Sequence, residues 1–284
     1  MEKYFNICNK NIKLYLPAET DIGTDFGIFE IPPTNADLFF DCKITDKLPE
    51  THGSFFGKSW DSEIFSGSDF IQRRIKIYDD GSLCNYSLNK ANYSLTYFTP
   101  KGFEMLSNER YFLTAIGFNH LLLLQETLIL HSSYIQYNNK AVLFCAPSGT
   151  GKSTQAGLWH QYKNAEIVNG DKSGINIIGN SVYAHSVPFS GTSGININKS
   201  LPLSAIVLLE KAPEENITEL KGLNALLGIL KNTYLDLLVA REKELAFDLI
   251  SDVISKVKIY RFGCTKNETA VNCLFDKLEA EGLL

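Results

Sequence analysis

The chain has 284 residues, enough for one large domain or two modest ones, and 44% of them are apolar, enough to fill a core. Its 27 basic and 32 acidic residues leave a formal charge of −5, which argues against a broad nucleic-acid surface, because such a surface needs a basic face. The longest apolar run, Ala141 to Ala146, is too short to cross a bilayer, and MEKYFNICNK has no secretory or transit pattern, so a cytoplasmic protein without membrane contact is expected. Cys8, Cys42, Cys84, Cys145, Cys264 and Cys273 form no C-x-x-C pair and read as reduced thiols.

The first hundred residues read as β-rich. RRIKIYDDGSLCNYSL, from Arg73, alternates on both sides of Asp80–Gly81, which is a hairpin signal. NYSLTYFTP reads as a further strand closed by Pro100. The period then changes. SNERYFLTAIGFNHLLLLQETL fits a long amphipathic helix, with Ser107 or Asn108 as its cap and Glu109 in the first turn. The domain boundary is therefore placed between Thr99 and Leu106. It separates a β-rich (α+β) domain over 1–105, a candidate for substrate recognition, from a second domain over 106–284.

In the second domain strands and helices alternate, which predicts an α/β core. LILHSSYIQY and AVLFCA read as two strands joined by a turn at Asn138–Asn139. A helix is predicted from Ser153 to about Tyr162, then a strand in AEIVNGD, a hairpin over Gly179–Asn180, and a buried strand in SAIVLLE. Leu220 to Leu230 and Glu242 to Val257 read as helices, KIYRFG as a last strand, and Glu268 to Glu281 as a last helix.

Between AVLFCA and the helix runs PSGTGKST. The phosphate-loop pattern G-x-x-x-x-G-K-[ST] holds except at its first glycine, where Ala146 stands. Ser148, Gly149, Thr150, Gly151, Lys152, Ser153 and Thr154 are the candidate nucleotide-binding residues. Glycines let backbone N–H groups turn towards phosphate oxygens, and the following helix adds its positive end. Lys152 is suited to the terminal phosphates, and the Ser153 hydroxyl to Mg²⁺. ATP and Mg²⁺ are the expected cofactors.

SGTGKST after an apolar strand, with LHSS upstream and VNGDKSG downstream, resembles the HPr kinase/phosphorylase and ATP-dependent phosphoenolpyruvate carboxykinase superfamily. By length and layout the chain looks similar to its HPr-kinase-related members, some of which phosphorylate a serine of lasso-peptide precursors. The resemblance covers His131 to Asp171, and more loosely PFSGTSG (Pro188 to Gly194) and YRFGCTKNETAVNCL (Tyr260 to Leu274). It implies a carboxykinase/HPr-kinase-like P-loop core. It also implies that His131 points at the phosphate site and that Asp171 binds metal or takes the hydroxyl proton. The family carries two adjacent aspartates where this chain has one. Either Gly170 stands in place of the first, or Lys172 in place of the second. The chain has no arginine between Arg110 and Arg241, which argues against carboxykinase activity.

Other residues admit two readings. Asp171 suits turn capping as well as metal or base chemistry. His131 suits a core as well as a site. Glu210 ends an apolar strand in the manner of a metal-binding acid, or is solvated before Pro213. Ser190, Gly191, Thr192, Ser193 and Gly194 form a second glycine-hydroxyl loop that lines the substrate or phosphate pocket or merely connects strands. His185 reads as a strand-end surface residue, Arg241 and Arg261 as solvated or charge-stabilising, and Trp159 and His160 as part of the loop's helix.

The expected function is a Mg-ATP-dependent kinase for a serine hydroxyl of a peptide or protein, with His131, Lys152 and Asp171 as catalytic residues and Ser153 and Asp171 at the metal. The alternatives are a small-molecule hydroxyl kinase and a non-catalytic, nucleotide-gated peptide-binding protein. A homo-oligomer is compatible with either.

Overall fold

Two eight-stranded sheets organise a mixed α/β chain. The computed structural model describes residues 1–17, 22–58, 62–68, 70–75, 85–104, 109–235 and 238–284. The expected turn at Asp80–Gly81, the cap at Ser107 or Asn108, and Cys84 lie outside them. The chain divides into two compact units, 1–125 with 235–244, and 126–234 with 245–284. The expected division at 105/106 falls earlier, because the helices after Glu109 cluster with the first unit.

The first unit carries β1 (Glu2–Ile7), β2 (Lys10–Tyr15), a short α1 (Thr24–Gly27), β3 (Leu38–Ile44), β4 (Ser54–Lys58), β5 (Ser62–Ser66), β6 (Ile71–Ile75), β7 (Asn85–Lys90) and β8 (Tyr93–Phe98). Its sheet runs β1-β2-β3-β8-β7-β6-β5-β4, antiparallel except at β2–β3 and β3–β8. Alternation buries Ile12 and Leu14 on β2 and Leu38, Phe40 and Cys42 on β3. β6 and β7 pair as the alternating pattern predicted. Pro100 does not simply close β8. It opens α2 (Pro100–Glu104), where its missing N–H costs nothing.

The long helix predicted through 107–128 is instead two short ones, α3 (Glu109–Ala115) and α4 (Phe118–Leu123). Gly117 between them has φ 68°, outside the helical region, and breaks the run. His120 on α4 and Arg73 on β6 meet the buried Glu242. Arg73 Nη2 lies 3.1 and 2.9 Å from its two oxygens and His120 Nδ1 lies 2.9 Å from Oε1. Burial alone raises the pKa of Glu242, but His120 and then Arg73 outweigh it and bring the carboxyl down to about 2.

The second unit begins with β9 (Leu128–Tyr137) and β10 (Lys140–Cys145). Asn138 and Asn139 have φ 44° and 60°, the pair of positive values that a two-residue hairpin turn needs and asparagine tolerates. There follow α5 (Lys152–Lys163), β11 (Glu166–Asn169), β12 (Lys172–Ile178), β13 (Ser181–Ser186), β14 (Ser200–Lys211), β15 (Asn216–Leu220), α6 (Gly222–Leu230), α7 (Ala240–Lys256, whose residues up to Glu244 count with the first unit), β16 (Lys258–Cys264) and α8 (Glu268–Ala280). β15 ends at Leu220, where the sequence pattern predicts the start of a helix running to Leu230, and that helix, α6, starts instead at Gly222. β9 and β14 each serve two sets of neighbours. The start of β9 pairs with β12 and its end with β10 and β11. The start of β14 pairs with β13, while its longer remainder lies parallel to β10 and β16. α5 and α8 cover this sheet through Trp159, Ala156, Ala270, Val271, Leu274 and Leu278, packed on Phe144, Val207 and Phe262.

His185 on β13 is fully buried, which corrects the surface reading. Its Nδ1 lies 2.7 Å from Ser200 Oγ and its Nε2 2.7 Å from Asn176 Oδ1. Burial pushes its pKa down to about 4. The unfolded chain therefore binds a proton that the folded chain refuses between about pH 6.5 and about 4, and stability falls as pH drops through that window. The loss is expected to reach roughly 3 kcal/mol. Denaturant titrations at pH 7 and pH 4.5 check it, and in His185→Gln the difference between the two pH values is expected to shrink.

Candidate functional site

β10 is buried over Ala141–Cys145 and is flanked by β9 and β14, so its end is a rigid support for the glycine loop. Gly149 and Gly151 have φ 74° and 133°, and no atom lies within 4 Å of where a Cβ would stand on either. Glycine is required here by backbone conformation, not by crowding. Gly151 caps α5 with no side-chain hydrogen bond, so the first-turn N–H groups are not occupied by a capping side chain. Ser148, Gly149, Ser153 and Thr154 are exposed around this turn, with Thr150 and Gly151 half-buried. Lys152 is buried, and its Nζ donates to the Ala146 carbonyl at 2.9 Å. Burial lowers its pKa, while Asp171 and Cys145 oppose the shift.

Asp171 stands beyond the end of β11, in a turn built by Asn169. This fully buried side chain accepts from the N–H groups of Asp171 and Lys172, both at 3.0 Å. Its amide donates to Val187 O at 3.2 Å and Asn196 Oδ1 at 3.0 Å. Ser132 N donates to Asp171 O at 2.9 Å, and Ser133 Oγ to Gly170 O at 2.9 Å. The β9–β12 register sets His131 opposite Lys172, which brings His131 Nε2 to 3.3 Å from Asp171 Oδ1. Burial alone raises the pKa of Asp171. The hydrogen bond and charge of His131, with the charges of Lys172 and Lys152, outweigh it and hold the carboxyl below its usual range. Lys152 and Asp171 thus feel each other's charge across one site.

The second glycine loop packs on the same turn. A Cβ on Gly191, whose φ is 60°, would lie 2.7 Å from Asp171 Cβ. A Cβ on Gly170 would lie 2.0 Å from Ser193 Oγ and 2.6 Å from Ser193 Cβ. Ser193 is held there by donating to Ser190 O at 2.7 Å and accepting from Ile195 N at 3.2 Å. Position 170 therefore has no room for an aspartate, and position 172 carries a buried lysine. Thr192 and Gly194 are exposed on this loop, whereas Ser190 is buried.

Other sequence candidates lie elsewhere in the pattern of contacts. Glu210 is exposed and pairs with Arg261, Nε to Oε1 at 3.3 Å. Arg241 is exposed in the first unit. His160 is exposed on α5 and Trp159 is fully buried. Two contributors escaped the sequence reading. Asn169 is not among the expected site residues, although an asparagine two residues before the acid is itself a turn signal. Gln155 ties α5 to the end of β16 through Thr265 O at 3.0 Å and Cys264 Sγ at 3.2 Å, and nothing local announces that contact.

An exposed turn of backbone donors, a buried lysine and free hydroxyls suit a polyphosphate. No group of three or more His, Cys, Asp or Glu that could hold a metal occurs among the described residues. A metal at this site would take most of its ligands from water or a bound anion, as Mg²⁺ does. Ser153 and Asp171 are the residues able to join it.

No protein-family profile matches the chain, and no curated protein matches it. Among solved structures the chain is similar to the Hpr(Ser) kinase/phosphatase from Coxiella burnetii, with 11% identity, a TM-score of 0.34, and cover of 54% of this chain and 97% of that one. A likeness at this level decides neither fold nor activity. Among the described residues no helix is long and apolar enough to cross a membrane.

Proposed function

We propose that the chain is a Mg-ATP-dependent kinase that transfers phosphate to a serine hydroxyl of a peptide or protein, in the manner of HPr-kinase-like enzymes. The observation that carries the reading is the His131–Asp171 pair, 3.3 Å apart, in electrostatic reach of Lys152 at the glycine loop. Phosphoryl transfer needs chiefly positioning and charge neutralisation, so a small set of residues suffices. The N–H groups of 148–153, apart from that of Thr150, which donates to Pro147 O at 3.3 Å, hold the phosphates together with Lys152. Ser153 and Asp171 hold Mg²⁺, which neutralises charge on the phosphate oxygens when bound. With Asp171 engaged there, His131 orients the acceptor hydroxyl and takes its proton. The 190–194 loop borders the place where the acceptor lies.

Incubation with labelled ATP, Mg²⁺ and a pool of serine peptides tests the reading. His131→Ala is expected to lower transfer by about 10²-fold, the usual share of a general base, with ATP affinity within about twofold of wild type. Unchanged transfer removes the base role. Gly170 favours a second reading, a nucleotide-gated peptide-binding protein, because the position has no room for a second carboxylate. Peptide capture that depends on ATP, without incorporation of label, supports that reading instead.

A further inference from the structure

Lys172 is only 5% exposed, and its ammonium lies 3.5 Å from the centroid of the Phe189 ring and 3.4 Å from that of Tyr234. Burying an ammonium is costly, and two aromatic faces recover part of that cost through cation–π attraction. The two rings belong to two segments far apart in sequence, one against Asp171 and one against His131. Phe189 opens the loop whose Gly191 abuts Asp171. Tyr234 belongs to a segment laid along the start of β9: Asn232 O accepts from His131 N at 2.8 Å, Thr233 bridges Leu130, and Tyr234 N donates to Ile129 O at 2.9 Å. Lys172 itself follows Asp171 and stands opposite His131 in the β9–β12 register. One side chain thus touches the segments that border both members of the His131–Asp171 pair.

We propose that Lys172 is a positioning residue for the acceptor side of the site, its ammonium clamping Phe189 and Tyr234 so that the 188–194 loop stays seated on Asp171 and the 231–234 segment on His131. The clamp does not take part in the phosphate cradle. Its place on the acceptor side rests on the kinase reading above, whereas the clamp itself does not.

Lys172→Met keeps the length of the side chain and removes the charge, and Lys172→Arg restores a cation for the two rings. In Lys172→Met, amide hydrogen exchange over 188–194 is expected to rise about tenfold, and in Lys172→Arg to return towards wild type. Transfer from labelled ATP to the serine-peptide pool is expected to fall about tenfold in Lys172→Met through kcat, with Mg-ATP affinity within about twofold of wild type and recovery in Lys172→Arg. If Lys172→Met does not fold, Phe189→Leu and Tyr234→Leu carry the same measurements. Unchanged exchange over 188–194 overturns the clamp, and so does failure of arginine to restore it. A tenfold loss of Mg-ATP affinity overturns the assignment to the acceptor side. If the wild-type protein labels no peptide, the kinase reading and the acceptor-side role fall together, and exchange still decides whether the clamp exists.

Discussion

Lys152→Ala is expected to lower ATP-dependent phosphate transfer by about 10³-fold or more. The reason is the lack of a substitute charge. Lys172, the other buried lysine among the described residues, has its ammonium engaged with two rings. The Lys152 ammonium is buried at the loop, where a charge acts more strongly than in water. The loss should not come from unfolding. Burial already works against that charge, so its removal relieves a desolvation cost while giving up one hydrogen bond to Ala146 O. Single-turnover transfer together with thermal melting separates the two explanations. Near-wild-type turnover in a folded variant means that the glycine loop is not the active site.

Asp171→Asn is expected to lower transfer by about 10³-fold while nucleotide binding persists. The substitution preserves side-chain shape, and the backbone of the turn is held by Asn169, which is unaffected. What is lost is a negative charge beside His131 and, in the kinase reading, a contact to Mg²⁺. Nucleotide affinity measured with and without Mg²⁺ distinguishes these. A wild-type Mg²⁺ response combined with lost transfer assigns Asp171 to the proton, not to the ion. Normal turnover removes it from both roles, and Glu210 is no replacement, since it is exposed and paired with Arg261.

Local features of the sequence carried most of the second unit. The strand, glycine loop and helix from Lys140 to Lys163 lie consecutively, and each obeys a local rule: an apolar run, turn chemistry, a capping glycine. His131 and Asp171 were legible as separate residues, but their meeting depends on how β9 registers with β12, which is a non-local fact. Lys172 was legible only as a departure from a pair of acids. Its partners Phe189 and Tyr234 are brought to it by tertiary packing. The first unit was less legible. Gly117 could have been read as a helix break but was outweighed by the apolar periodicity on both sides of it. In the second unit, the surface expectation for His185 fails because alternation along a hairpin does not say which face is covered. The helix expected from Leu220 starts two residues later, at Gly222, because a leucine at the end of a strand fits either period.

The contact between Gly170 and Ser193 constrains how this sequence can drift. A lone Gly170→Asp change meets the Ser193 side chain and must displace a loop that is tied to Ser190 and Ile195 and seated against Asp171. A lone Ser193→Gly change gives up the hydroxyl that pins the loop and gains nothing at 170. Each single step is disfavoured while the double exchange removes the contact with the Ser193 side chain, so positions 170 and 193 should vary together. In sequences of this architecture, a small residue at one is expected to accompany a larger one at the other, a pattern of sign epistasis that a double-mutant cycle between the two positions would register as coupling of about 1 kcal/mol or more.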